Sequence, residues 1–139
     1  MSTDMLLSAQ RVMIIVAHPD DAEMQCGGTI ARRVGQGAVV SCVLATSGNR
    51  GTSDPAMTSD QLAALREAEQ LTAAARLGVT DITFLRFDDG DLAYNAQPLR
   101  GQLTKLSLRL LSSALEGLSF TPTRSPLPFP LTRLPDFTW

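Results

Sequence analysis

The sequence predicts an α/β protein: a Rossmann-like, doubly wound parallel sheet, truncated after about three strands. Two observations carry this. Three short apolar runs, at residues 12–17, 39–45 and 82–85, each precede a stretch in which apolar residues recur at helical spacing. Strand alternating with helix is the pattern of parallel sheets joined by right-handed crossovers. The first run is also too continuously apolar for a strand with one wet face, so it reads as covered on both sides.

Residues 11–17 are the first predicted strand, and they run directly into His18-Pro19-Asp20-Asp21. From there Ala22, Cys26, Ile30 and Val34 recur every four positions, which is helical spacing, with Gln25, Arg32 and Arg33 on other faces. Gly27-Gly28 inside that helix costs roughly 1 kcal/mol per glycine relative to alanine. Close packing, or approach of the backbone to a ligand, is expected to compensate. Gly35 and Gly37 end the helix. Residues 39–45 predict a second buried strand, and the turn formers at 46–55 a long loop at the same end of the sheet as His18. Thr58 to Gln61 fits a capping box. Leu62, Leu65, Ala68, Leu71 and Ala75 then give the second helix its apolar stripe, with Gly78 as its stop. Residues 82–85 predict the third strand and 88–91 its exit loop. Pro98 suits a helical first turn, and Leu99, Leu103, Leu106 and Leu110 supply one face of a third helix.

With 139 residues, 44% hydrophobic and 19% charged, the chain fits one ordinary domain with a modest core. A formal net charge of −2 and the lack of a basic tract argue against a nucleic-acid partner. Residues 1–10 read as an extension with neither a basic n-region nor a sustained apolar stretch. No apolar run approaches the roughly 18 residues of a membrane span. A cytoplasmic location is therefore the expectation. Cys26 and Cys42 are spaced neither as a metal-binding pair nor as a disulfide framework, and both are expected to be reduced core thiols.

His18, Asp20 and Asp21 stand where the first predicted strand ends, and ligands of open α/β sheets bind at the carboxyl ends of strands. An imidazole and two carboxylates are good ligands for zinc or a similar divalent ion, which lowers the pKa of bound water to about 7. Metal-assisted hydrolysis is the reaction class this implies. Plainer roles exist for each residue. Either aspartate could cap the following helix, and His18 could be a hydrogen-bonded structural histidine. A receiver-type signalling domain is less well supported, because the second predicted strand ends in no evident phosphoacceptor aspartate. A dinucleotide site is weaker still, since Gly-x-Gly-x-x-Gly is absent after the first strand.

The string Ala17-His18-Pro19-Asp20-Asp21-Ala22-Glu23 resembles the opening motif of the PIG-L/LmbE family of zinc-dependent de-N-acetylases. The likeness continues through Gly27-Gly28-Thr29, the loop at 46–52, Arg66-Glu67-Ala68-Glu69, Leu77-Gly78-Val79, and Asp89-Gly90 before Leu92, and covers about 11–106. The resemblance implies an LmbE-like fold and removal of an acetyl group from a small N-acetylglucosamine-containing substrate. It implies zinc (Zn2+) as cofactor, with His18 and Asp21 as two ligands and Asp20 as the general base toward the bound water. Arg66 matches an arginine that helps bind the sugar, and Asn49 and Arg50 lie on the loop bordering the pocket. Read from the residues alone, Arg66 is equally a partner of Glu69 or Asp60, and Asn49 and Arg50 are equally solvated loop residues.

In that family the third zinc ligand is a histidine placed after a fourth strand, whereas this sequence holds one histidine in all. Past about Ser107 the composition changes. Five of the eight prolines lie between Pro122 and Pro135, and the alternation of Pro126, Pro128 and Pro130 forbids a central strand. The expectation is an incomplete LmbE-like domain at 11–118 and a Pro-rich, disordered tail at 119–139. A departure from the ancestral reading frame near Lys105 to Ser107 would account for the missing ligand, the missing strand and the fading resemblance together. Zinc binding is then expected to be weak or absent. The competing function is a non-catalytic family remnant or interaction protein, whose open sheet edge pairs with another subunit to make a homo-oligomer.

Overall fold

The fold is that of a computed structural model, which describes residues 9–116. Most of the N-terminal extension and the whole tail expected at 119–139 lie outside the described residues. Three strands and three helices alternate: β1 (Arg11–Val16), α1 (Asp21–Gly35), β2 (Val39–Thr46), α2 (Ser59–Arg76), β3 (Asp81–Phe87) and α3 (Ala96–Glu116). The sheet is parallel in the order β1-β2-β3, with Ile14 opposite Cys42 and Cys42 opposite Ile82.

Alternation along the strands sorts their side chains to two faces. Val12, Ile14, Val16, Val40, Cys42, Leu44, Ile82 and Phe84 pack with Ala22 and Ile30 of α1 and Ala74 of α2, so both of those helices cover one face. Burying a side chain such as Leu44, 0% exposed, contributes about 1.5–3 kcal/mol. Met13, Ser41, Val43 and Thr83 face the other way, toward Leu106 and Leu110 of α3, across a groove of about 340 Å³. Helices on both faces make the sheet doubly wound, as its sequence predicts. The third helix carries the chain back over the far face to β1, whose outer edge is open among the described residues.

Local signals hold well. Thr58 Oγ1 accepts from the Gln61 amide at 3.2 Å and Gln61 Oε1 from the Thr58 amide at 3.0 Å, which is the capping box. Leu99, Leu103, Leu106 and Leu110 form the half-buried stripe of α3, and that helix runs unbroken through 105–107 to Glu116, so the departure expected there leaves no mark on the backbone. Both cysteines are free thiols, Cys42 buried and Cys26 half-buried. Among the described residues no helix is long and apolar enough to cross a membrane.

Four expectations need correction. β1 is less buried than a strand covered on both sides should be: it is an edge strand, half-exposed, with Ile15 at 45%, while β2 is buried from Val40 to Thr46 because it lies between the other two. The stripe read for α2 points largely outward, with Leu65, Ala68, Leu71 and Ala75 exposed. The face turned inward instead carries Leu62, Arg66, Glu67, Gln70 and Ala74. Its polar members are tolerated there because each has a partner at the end of the sheet. Arg33, read on a face away from the apolar stripe, is nevertheless buried, its guanidinium bonded to Gln36 Oε1 and the Ala9 carbonyl. Finally, a methyl group on Gly27 would only reach Leu77 at 4.0 Å and one on Gly28 would meet nothing, so close packing does not explain that pair. The two glycines instead follow a non-helical kink at Cys26.

Candidate functional site

The ends of β1 and β2 are fastened together. Thr46, fully buried, donates both its amide and its Oγ1 to the Ala17 carbonyl, each at 2.9 Å, which fixes the chain one residue before His18. Gly48 follows with φ 64, a left-handed turn that suits glycine and brings the loop after β2 against Pro19 and Arg66.

Asp20 opens α1 in the left-handed region, φ 78, and its carboxylate makes no capping bond, so the capping alternative fails for it. Two residues of α2 grip it instead. Gln70 Oε1 accepts from the Asp20 amide at 2.8 Å, and Arg66 Nη2 lies 3.6 Å from Asp20 Oδ2. Four residues apart, Arg66 and Gln70 share one helix face. Arg66 thus pairs with neither Glu69 nor Asp60, the partners its sequence suggested.

Asp21 Oδ2 accepts from the His18 amide at 3.0 Å and stands 3.5 Å from His18 Nδ1. The opposite ring nitrogen, Nε2, is 2.9 Å from Asp89 Oδ1. Each ring nitrogen of His18 therefore faces a carboxylate oxygen, Asp21 on one side and Asp89 on the other. His18 has 42% of its side chain exposed and lies in no hydrocarbon pocket. Asp89 is held in turn: its amide donates to Asn49 Oδ1 at 3.0 Å, and Asn49 Nδ2 donates to Asp88 Oδ1 at 2.9 Å. Arg50 reaches Asp91 with both terminal nitrogens, at 3.0 and 3.4 Å. Asn49 and Arg50 therefore latch the loop after β2 to the loop after β3.

Beside this, Glu67 accepts from Ser47 Oγ at 2.6 Å and from Arg86 Nε and Nη2 at 2.9 Å each. The Arg86 hydrogen bond is the largest cause holding its carboxyl below the usual range. Glu23 Oε1 accepts from Gln70 Nε2 at 2.7 Å, while its Oε2 is buried without a hydrogen-bond partner.

Two ligands of a tetrahedral zinc, each at about 2.0–2.1 Å, lie about 3.4 Å apart. His18 Nδ1 and Asp21 Oδ2, at 3.5 Å, fit one edge of such a site. Asp89 occupies the position from which a carboxylate orients a ligand histidine. Among the described residues, no group of three or more His, Cys, Asp or Glu is placed to hold a metal ion. The set stops at two donors where a catalytic zinc takes three protein ligands and a water.

The profile of the PIG-L family, GlcNAc-PI de-N-acetylase, matches residues 13–114. The chain belongs to the PIG-L family. The match extends past Leu106, the limit of the motifs read from the sequence. Among PIG-L relatives, the 1D-myo-inositol 2-acetamido-2-deoxy-alpha-D-glucopyranoside deacetylase of Actinosynnema mirum is 39% identical over 107 residues, covering 67% of this chain and 38% of that protein. The solved N,N'-diacetylchitobiose deacetylase of Pyrococcus horikoshii superposes with a TM-score of 0.71 at 36% identity, over 75% of this chain and 39% of that one. The 4-carboxy-2-hydroxymuconate hydratase of Pseudomonas putida gives a TM-score of 0.54 at 28% identity, over 58% and 35%. This chain thus spans under two fifths of the length of each. One scaffold serving a deacetylase and a hydratase leaves the reaction to be argued from the site.

Sequence reading missed Gln70 altogether. Its one signal was spacing, four residues after Arg66, and spacing does not show which side of α2 is buried.

Proposed function

We propose that this chain carries part of a metal-assisted de-N-acetylase site acting on small acetamido sugars of the N-acetylglucosamine class. The observation that supports it best is the convergence of His18 Nδ1 and Asp21 Oδ2 at 3.5 Å, beside an Asp20 carboxylate that caps no helix. His18 and Asp21 would hold two positions of a zinc ion, which when bound lowers the pKa of water and polarises an amide carbonyl. Asp20 is the general base: Arg66 faces its Oδ2, leaving Oδ1 to take the proton of the attacking water and pass it to the departing amine nitrogen. Asp89 holds the His18 ring. Arg66, with Asn49 and Arg50 at the rim, borders the bound sugar. Two donors converge here among the described residues, and a carboxylate such as Asp88 or Asp89, or a group from a partner chain, would supply the third.

The two-donor set also favours a second reading, a family member that binds partners without catalysis. Acetate release from N,N'-diacetylchitobiose, measured with and without added zinc, separates the two. Zinc-stimulated release that Asp20→Ala abolishes is the expected result. Equal rates for the two proteins would deny Asp20 its role, and no release at any zinc concentration would select the non-catalytic reading.

A further inference from the structure

We infer that Gln70 is a positioning residue for Asp20, a role that rests on the reading of Asp20 as base. Gln70 is only 2% exposed, and both ends of its carboxamide are used. Its Oε1 takes the Asp20 amide at 2.8 Å and its Nε2 donates to Glu23 Oε1 at 2.7 Å. One side chain of α2 thereby bridges the first residue of the turn into α1 and a residue of the first turn of α1.

That bridge matters because Asp20 is not glycine. The left-handed region crowds a Cβ against the carbonyl that follows, and such a residue persists there only when its surroundings over-determine it. The amide of Asp20 precedes α1 and has no intrahelical acceptor. Gln70 supplies one, while Glu23 keeps the carboxamide from rotating. Held this way, the Asp20 side chain leaves the strand end in a direction set by the backbone. Arg66, one helical turn earlier, faces its Oδ2. Both jobs at position 70 are needed at once. Leucine could do neither, and glutamate could accept from Asp20 but not donate to Glu23.

The test compares the full chain with Gln70→Leu, Gln70→Glu, and a double exchange of Gln70→Glu with Glu23→Gln, which restores one donor facing one acceptor. Two measurements are made: hydrogen exchange at the Asp20 amide by NMR, and kcat and KM for acetate release from N,N'-diacetylchitobiose with zinc. In Gln70→Leu the Asp20 amide is expected to exchange about tenfold faster while the Leu44 amide stays protected. There kcat falls about ten- to a hundredfold, as for a slightly misplaced catalytic group, with KM little changed. The double exchange is expected to restore both quantities, and Gln70→Glu alone neither. Should Gln70→Leu fail to fold, the comparison of the single and double exchanges decides. Unchanged Asp20 exchange in every variant overturns the inference, as does a kcat that stays low once Asp20 protection has returned. An original chain that releases no acetate counts instead against the base reading, and the Asp20 exchange then decides the positioning alone.

Discussion

Gly78 joins α2 to β3 with φ 78, and a Cβ built on it would stand 2.6 Å from Val34 Cγ1 of α1. Carbon atoms pack at about 3.5–4.0 Å, so the overlap is on the order of 1 Å. Val34 is β-branched on a helix and cannot swing aside freely. Two costs add in Gly78→Ala. A non-glycine residue in the left-handed region costs about 1–2 kcal/mol, and forcing a methyl into a packed contact costs about 1–3 kcal/mol more. Gly37 isolates the first cost, since its φ is 85 and nothing lies within 4 Å of its Cβ position. Urea unfolding of the two variants is expected to place Gly37→Ala about 1–2 kcal/mol below the parent, and Gly78→Ala lower again by about 1–3 kcal/mol. Removing the obstructing methyls with Val34→Ala should erase most of the difference, a coupling of the size seen between touching residues. Equal losses at Gly37 and Gly78 would refute the packing of α1 against the end of α2.

Other outcomes follow from the ionisable groups. Glu67 is held below the ordinary carboxylate value of 4.5, first by the Arg86 hydrogen bond and further by that of Ser47, against the opposing effect of burial. The folded state then binds fewer protons than the unfolded, so this stability is fully present above about pH 4.5 and is lost as pH falls through the lower folded value. Unfolding midpoints of Glu67→Gln should therefore decline less steeply than those of the parent below that pH; parallel slopes would contradict the pairing. Burial, then Glu23 and Cys26, push the Cys42 thiol up to about 11. At pH 8 its thiolate is scarce, on the order of one part in a thousand. A disulfide reagent should modify Cys42 only as fast as the sheet opens, and rapid labelling in native buffer would be inconsistent with its place in the core.

The sequence by itself determined whatever depends on neighbours along the chain. Apolar runs and helical spacing located each element of the described residues, the capping box at Thr58 and Gln61 is present atom for atom, and His18, Asp20 and Asp21 share a site because they are nearly contiguous. The motif string was sufficient for the family. What it could not reach are choices made between elements. Strand order left β1 at an edge and made β2 the buried strand. Rotation of α2 about its own axis, which a pattern containing apolar residues on several faces does not specify, turned Leu65 and Leu71 outward and Arg66, Glu67 and Gln70 inward. The bonds that shape the site span large separations, from Gln70 to Asp20 and from Asp89 to His18. They exist because parallel strands bring their carboxyl ends to one edge and the inward face of α2 packs beside it, so that polar groups distant in sequence find partners that no local period encodes.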